Sequence, residues 1–459
     1  MTSLYLSIFP YLHAVLDNLS RTTAAVLICS LLISCGPQSK QTLEEKVNVP
    51  AVAPLPVTPE MRVDLTYPVM LGVDTLEAEG FAAVRGKKIG LLTHPAGVNR
   101  RGESTVQILW KSPACQLVAL FAPEHGLYGT EKASAQVADT VDAVTGLPVY
   151  SLHGHNRKPT AEQLKGLDAL VIDLQDIGVR SYTFNVVMRY AMDSCFRYGV
   201  EVIVLDRPNP LGGLKVDGPN LDTTWRSGVG AYPIPYVHGL TLGELARFAA
   251  DTPGVVDVPE DLRVKGRLTV VPMRGWRRAM RWPETGLTFI PTSQYVRDFD
   301  AVIGYAMTGL GCEYSGFTHG LGTPFPFRSL LFRGKTASQV EQDLIALQLP
   351  GLKFRLVTTA EPSAKPVSRV WVEIADWEAW NPTELSFHLH RLACRYGSNP
   401  FAKLGAREAR SFNIHVGSTA WWEALTRAGA FVDVDTFVQG WRVEARAFQE
   451  STRKYRLYD

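Results

Sequence analysis

The sequence predicts an α/β protein in which a parallel-sheet domain is followed by a smaller mixed α/β or α+β domain. Four short apolar runs, each suited to a buried strand, begin at Lys88, Leu117, Ala169 and Val200. Segments of helical length separate the runs, and this alternation favours a parallel sheet. Each run is followed directly by polar residues with glycine or proline, as expected where strands end.

The segments between and after the runs carry helix signals. Ser104 is predicted to cap a helix that continues to Trp110. Residues Tyr182–Tyr198 place their apolar side chains on one face, and Gly199 follows where a helix would stop. A further helix is predicted over Leu240–Ala250, with Thr241 near its start.

After Thr252–Gly254 the alternation of strands and helices loosens. The strands predicted there are Leu268–Pro272 and Val370–Ile374, and the helices are Thr336–Leu347 and Thr436–Lys454. The chain is too long for a single core of common size. We therefore expect two domains, residues 67–255 and residues 256–459.

The N-terminus predicts export. The apolar run Ala24–Ile33 is too short to span a membrane, which takes about 20 residues, but is typical of a signal peptide. It leads into Leu32–Gly36, which resembles a bacterial lipobox with Cys35 as the lipidated residue. Residues 1–35 are thus predicted to be a lipoprotein signal peptide, and 36–66 a proline-dotted tether. The protein would be lipid-anchored in the bacterial envelope, at the periplasmic face or outer membrane; the alternative is a buried N-terminal helix.

Composition and motifs exclude several classes. A net charge of +2 with 20% charged residues gives no electrostatic footprint for nucleic acid. His153 and His155 alternate as strand-borne metal ligands would, but no zinc spacing such as His-Glu-x-x-His occurs. No dinucleotide or P-loop motif and no serine-hydrolase elbow is present. We predict neither a metal nor a cofactor.

The polar residues that follow the four runs are the candidate site. In an open α/β sheet, ligands bind at the carboxyl ends of the strands. Side chains from four strand ends would therefore meet in one cleft, which predicts an enzyme. They include Glu124, His125, Asp173, Asp176, Asp206 and Arg207.

Five motifs in series carry a resemblance to a known family. They are Pro123–Gly126, Thr145–Leu152, Asp173–Tyr182, Leu205–Gly213 and Pro233–Thr241. Together they resemble the NamZ-type exo-β-N-acetylmuramidases, and the match is looser after residue 285. The resemblance implies a Rossmann-like N-terminal domain and a smaller C-terminal domain with the active site in the cleft between them. It also implies release of N-acetylmuramic acid from the non-reducing end of peptidoglycan fragments such as muropeptides or MurNAc-GlcNAc.

Glycoside hydrolysis usually needs two carboxyl groups. Glu124 is our candidate for the acid/base because Pro123 and Gly126 form a tight turn around it. The alternative is a carboxylate that caps a following helix. Asp173 or Asp176 would be the second carboxylate; retention, inversion and substrate assistance all stay open.

Substrate recognition would fall to Arg180, Arg207 and His238, with Tyr182 and Asn209 bonding sugar hydroxyls or the acetamido group. A guanidinium suits bidentate binding of the lactyl carboxylate of muramic acid. The alternative for the two arginines is an ion pair with Asp176 or Asp206, and for Asn209 a turn. His125 and Asp206 are the other candidate substrate ligands.

A second functional class is a non-catalytic sugar-binding lipoprotein of the envelope. It would use the same cleft together with exposed tryptophans, for which Trp421, Trp422 and Trp441 are the candidates. Helical spacing favours a core role for these tryptophans. A carboxylate pair at catalytic distance would favour the enzyme, since a binding protein needs none.

Overall fold

A seven-stranded sheet forms the centre of the N-terminal half in this computed structural model, which describes residues 69–130, 138–154, 156–359 and 366–459. Its strands are β1 (Lys88–Thr93), β2 (Gln116–Ala122), β3 (Thr140–Val141), β4 (Pro148–Ser151), β5 (Ala169–Asp173), β6 (Glu201–Leu205) and β7 (Leu268–Val271). Six strands run parallel in the order β4-β2-β1-β5-β6-β7, and β3 adds an antiparallel edge. This is the doubly wound Rossmann order, which reverses between β1 and β5.

Helices cover both faces of this sheet. They are α1 (Gly72–Ala78), α2 (Thr105–Lys111), α3 (Ala161–Leu164), α4 (Thr183–Tyr198), α5 (Leu242–Asp251) and α6 (Glu260–Lys265). Leu76 of α1 and Leu109 of α2 share one buried cluster, whereas Met188 of α4 and Leu245 of α5 belong to the other. Both faces of the parallel strands are buried, which explains why these strands are apolar without alternation.

The C-terminal half has a smaller sheet and longer helices. Its four antiparallel strands are β8 (Phe317–Thr318), β9 (Ser329–Phe332), β10 (Leu352–Thr359) and β11 (Val367–Ile374). The helices are α7 (Phe299–Cys312), α8 (Ala337–Ile345), α9 (Glu384–Arg395), α10 (Ala406–Val416), α11 (Thr419–Ala428) and α12 (Val434–Ser451). The predicted fold class is confirmed.

The local signals act as expected. Ser104 accepts a hydrogen bond from the Val106 amide at the start of α2. Thr241 and Glu244 form a capping box on α5, and Gly199 ends α4 in the left-handed conformation. These interactions satisfy backbone groups that every helix end leaves unpaired.

The boundary predicted near residue 255 stays a prediction. The segment Leu268–Val271 was assigned to the second domain but pairs with β6 in the large sheet. The described residues fall in one compact unit, and a continuous buried cluster joins Leu170 of the large sheet to Trp380 and Trp421 of the C-terminal half. The predicted signal peptide, Cys35 and the tether lie outside the described residues.

No helix in the described part of the chain has both the length and the apolar character needed to cross a bilayer. The cysteines from Cys115 onward, namely Cys115, Cys195, Cys312 and Cys394, are free thiols.

Candidate functional site

The carboxyl ends of β1, β2, β5 and β6 lie at one edge of the large sheet, because these strands are parallel neighbours. The strand order reverses between β1 and β5, which opens a crevice at that edge. His94 follows β1 and Asp176 lies just beyond β5. The backbone amide of Gln175 donates to Nε2 of His94 at 2.9 Å, so the two loops meet there.

Glu124 follows β2 in a tight turn. The amide of Gly126 donates to the carbonyl of Pro123, and His125 adopts a left-handed backbone with φ of 74°. Residues 124–130 form turns and bends instead of a helix, so the predicted alternative of a helix cap is not what the structure has there. The backbone strain at His125 is of the kind that functional sites retain.

The Glu124 side chain is held but still reaches solvent, with 13% of it exposed. Its Oε2 accepts a hydrogen bond from Oγ1 of Thr183 at 3.0 Å, and its Oε1 lies 3.9 Å from Nε2 of His153. Burial lowers the pKa of His153, against the opposing charge of Glu124, and Arg157 and His125 lower it further. His153 is therefore neutral near pH 7.

Thr183 and His153 were not predicted as site residues. Thr183 directly follows the motif that ends at Tyr182, and His153 follows β4 at the same sheet edge as Glu124. The position of His153 after a strand was the available signal, but it was read only as a possible metal ligand. Its partner in that reading, His155, lies outside the described residues. In the part of the chain that the structure describes, no three His, Cys, Asp or Glu side chains group as metal ligands would.

Asp173 is fully buried in an ion pair. Nε and Nη2 of Arg207 donate to its two oxygens at 2.5 and 2.9 Å, and the Thr105 hydroxyl adds a third bond of 2.5 Å. Arg207 was predicted to bind substrate, with an ion pair to Asp176 or Asp206 as the alternative; its guanidinium instead pairs with both oxygens of Asp173, on the neighbouring strand. Each Asp173 oxygen therefore already has a strong donor.

Asp176 is held more loosely. The amide of Gly178 donates to Oδ2 at 3.0 Å, and Nδ2 of Asn185 lies 3.3 Å from Oδ1. Nε2 of His238 is 3.8 Å from Oδ2 and has no hydrogen-bond partner among the described residues. The fold thus brings together two predicted site residues, Asp176 and His238, and each can still form a further hydrogen bond.

Arg180 has a different environment from the one predicted. Its guanidinium is fully buried and donates to four carbonyls, those of Pro219, Ile234, His415 and Val416. Burial lowers its pKa to about 10, while the charge of Asp222 raises it. The ion pair with Asp176 or Asp206, which was predicted as the alternative to substrate binding, is not formed. Instead, Arg180 binds the carboxyl end of α10, where a helix dipole favours a cation.

The remaining predicted ligands are also engaged within the protein. Asp206 accepts bonds from the Thr241 and Tyr458 hydroxyls and the Gly243 amide. Asn209 bridges the backbone of Leu211 and Leu240, which matches its predicted alternative as a turn residue. The Tyr182 hydroxyl donates to Oγ1 of Thr292 at 2.6 Å. These side chains order the loops of the cleft.

Helix α7 of the C-terminal half brings two further side chains to this region. The Tyr305 hydroxyl lies 3.5 Å from Oγ of Ser181, and Glu313 caps the end of the same helix. The negative charges of Glu313, Glu124 and Asp176 all act on the Tyr305 hydroxyl. Neither Tyr305 nor Glu313 was predicted, because motif matching was weak beyond residue 285.

Comparison with known proteins shows the family of this chain. A sequence profile described as exo-β-N-acetylmuramidase NamZ, N-terminal, matches residues 89–300, and the corresponding C-terminal profile matches residues 303–458. This chain belongs to the NamZ family. The peptidoglycan β-N-acetylmuramidase NamZ of Bacillus subtilis (strain 168) is 41% identical over 287 residues, which cover 62% of this chain and 67% of that protein. The family resemblance carried by the five motifs is confirmed.

Two solved structures share the fold of this NamZ family member. A DUF1343 family protein of Bacteroides fragilis superposes with a TM-score of 0.77 at 34% identity, covering 85% of this chain and 99% of that one. A second protein of that family and organism has a TM-score of 0.63 at 26% identity, with 86% and 99% covered. The fold therefore extends through both halves of the chain.

Proposed function

We propose that this chain is an exo-acting glycoside hydrolase that releases N-acetylmuramic acid from the non-reducing end of peptidoglycan fragments. It would cleave the β-1,4 bond between N-acetylmuramic acid and N-acetylglucosamine, in cell-wall turnover or recycling. The observation that carries the proposal is Glu124, a partly exposed carboxylate held by Thr183 at the carboxyl edge of the sheet in a chain of the NamZ family. A glycosidase needs such a positioned carboxyl group.

We assign Glu124 as the acid/base and Asp176 as the second carboxylate. Asp173 is the weaker candidate, because Arg207 and Thr105 already occupy its oxygens and it is fully buried. Asp176 retains bonding capacity beside His238. Nε2 of the neutral His153 lies 3.9 Å from Oε1 of Glu124, so its dipole acts on the Glu124 carboxyl group while the protonation of that group changes through the reaction.

The alternative of a non-catalytic sugar-binding protein has little support. Trp421 and Trp441 are buried, and the indole nitrogen of Trp421 donates to Nδ1 of His390 inside the core. Trp421 and Trp441 are therefore core residues, as their helical spacing predicted, and they do not form an exposed platform.

The test is release of N-acetylmuramic acid from a chromogenic β-N-acetylmuramide, with the matched β-N-acetylglucosaminide as the second substrate. We expect the full-length protein to cleave the first, and the Glu124→Gln variant to lose roughly 100-fold or more of the rate. Glu103→Gln, at an exposed surface pair, is the matched control and should keep full activity. A folded protein that binds muropeptides but cleaves neither substrate would favour the binding protein instead.

We also propose that the protein is exported and lipid-anchored through Cys35 to the bacterial envelope. The support is the apolar run Ala24–Ile33 followed by Ser34, Cys35 and Gly36. Metabolic labelling with a fatty acid in a bacterial host should label the protein, and Cys35→Ala should abolish the label. Cys29→Ala, six residues upstream within the run, should leave it unchanged; labelling that survives Cys35→Ala contradicts the proposal.

A further inference from the structure

Tyr305 enters the Glu124 region from the C-terminal half. Its ring packs edge-on against Tyr182, with ring centroids 5.9 Å apart, and is tilted against the ring of Phe327 at 5.0 Å. Its hydroxyl lies next to Ser181, two residues before the Thr183 that holds Glu124. The ring is thus fixed by packing while the hydroxyl points toward the carboxyl edge of the large sheet.

The hydroxyl of Tyr305 has spare bonding capacity, unlike those of its two tyrosine neighbours. Tyr182 donates to Thr292 at 2.6 Å, and the Tyr236 hydroxyl lies 2.9 Å from Oγ of Ser181. The Tyr305 contact with Ser181 is 3.5 Å, which is long for a bond between hydroxyls, usually about 2.5–3.0 Å. Tyr305 is also partly exposed, whereas Tyr236 is buried.

The charges around this hydroxyl decide which kind of group it can bind. Burial is the main cause that raises the pKa of Tyr305 to about 12, and the charges of Glu313, Glu124 and Asp176 contribute to the same rise. The phenol therefore keeps its proton and acts as a donor. An anionic partner would be repelled by the same carboxylates, so a neutral oxygen is the favoured acceptor.

We infer that Tyr305 donates a hydrogen bond to a neutral oxygen of the sugar bound beside Glu124. The acetamido carbonyl is the strongest neutral acceptor on such a sugar, whereas the lactyl carboxylate would be placed elsewhere by the charge of Glu313, Glu124 and Asp176. Helix α7 thereby contributes a substrate-binding residue to a site otherwise built from the large sheet. This inference rests on the proposed function.

The experiment compares Tyr305→Phe, which keeps the ring contacts, with the wild-type protein. We expect kcat/KM on the chromogenic muramide to fall about 10-fold or more, and Kd for free N-acetylmuramic acid to rise about 5-fold or more, because a donor to the sugar is lost. The alkaline limb of the pH–rate profile, which reports the proposed acid Glu124, should not move. Tyr396→Phe removes a hydroxyl from the same half of the chain, where the ring packs on Phe317 and Phe332, and should change neither constant.

Three outcomes overturn the inference. Activity and sugar affinity within about 2-fold of an active wild type show that the hydroxyl does not contact the sugar. A shifted alkaline limb with unchanged sugar affinity shows that Tyr305 acts through the proposed acid Glu124 instead. A wild-type protein that neither cleaves the muramide nor binds the sugar overturns the proposed function and this inference together.

Discussion

Thr183 donates a hydrogen bond from its hydroxyl to Oε2 of Glu124 at 3.0 Å, across 59 residues of sequence. Thr183 is the first residue of α4, and Glu124 lies in the turn after β2. The bond fixes one oxygen of the carboxylate and leaves the other near His153. The ends of β2 and β4 and the start of α4 thus set the orientation of the Glu124 side chain, the proposed acid/base.

The Thr183→Val variant tests this contact. Losing a hydrogen bond to the carboxylate frees its rotation and removes a donor that favours its charged form. We expect kcat/KM on the chromogenic muramide to fall about 10-fold and the alkaline limb of the pH–rate profile, where the proposed acid loses its proton, to move to higher pH. Thr183→Ser keeps the hydroxyl and should recover most of the rate. Equal rates in the valine and serine variants would contradict the role of the bond.

Replacing Asp173 should cost stability. Asp173→Asn leaves the buried Arg207 guanidinium without its counter-charge, and breaking a buried pair in this way costs about 3–5 kcal/mol of the free energy of unfolding. The exposed pair of Arg101 with Glu103 is the matched comparison, and Arg101→Ala should cost far less stability because solvent screens that pair. Urea unfolding measures both. Similar losses in the free energy of unfolding would show that the buried Asp173–Arg207 pair contributes no more to stability than the exposed pair.

Acid should destabilise the protein partly through His390. Burial lowers the pKa of His390 to about 4, whereas an unfolded histidine titrates near 6.5. As pH falls from 6.5 to 4 the unfolded chain takes up a proton that folded His390 does not, so stability is lost over this window, by about 3 kcal/mol. His390→Gln should be less stable at pH 7 but lose less on acidification.

Chemical unfolding at pH 7 and pH 4.5 measures the difference. His415→Gln, at a half-buried histidine near the end of α10, is the control and should keep the wild-type acid loss. If His390→Gln loses as much stability on acidification as the wild-type protein, other groups cause the effect.

The C-terminal Tyr458 should matter more at alkaline than at acid pH. Burial raises the pKa of Asp206 to about 6, against a hydrogen bond from Tyr458 that lowers it. Because the folded pKa lies above the unfolded one, stability from this group is complete below about 3.8 and falls as pH rises through 6. The Tyr458 bond offsets that loss by stabilising the ionised form.

Tyr458→Phe should therefore lower the free energy of unfolding by about 1.5–3 kcal/mol at pH 8 and by less at pH 5. Tyr455→Phe loses a bond to the exposed Asp251 and is the matched control, with a small loss at both pH values. Thermal unfolding at the two pH values makes the comparison. If Tyr458→Phe loses the same amount of stability at both pH values, the Tyr458 bond does not act through the ionisation of Asp206.

Much of the fold could be predicted because its signals are local. The strand runs, the Ser104 cap and the Gly199 stop depend on residues a few positions apart. The placement of Leu268–Val271 in the large sheet could not be predicted in this way, because its partner β6 ends more than 60 residues earlier. Strand pairing over such a distance depends on the whole fold.

The candidate site was predictable as a region but not residue by residue. Asp173 and Asp176 follow the same strand, yet Arg207 occupies the first and leaves the second with bonding capacity. Arg180 carried the same expectation as Arg207 but instead binds the carbonyls at the end of α10. Both outcomes depend on partners that spacing does not reveal.

The sequence alone determined the α/β class, the strand ends that carry polar residues and the membership of the NamZ family, since periodicity, caps and motifs are written in neighbouring residues. The tertiary structure decided which of those polar side chains reach solvent. Folding places Thr183 and His153 next to Glu124, and it brings Tyr305 to this region from the other half of the chain. Burial and hydrogen-bond partners set the chemistry of a side chain, and both arise only when distant segments pack together.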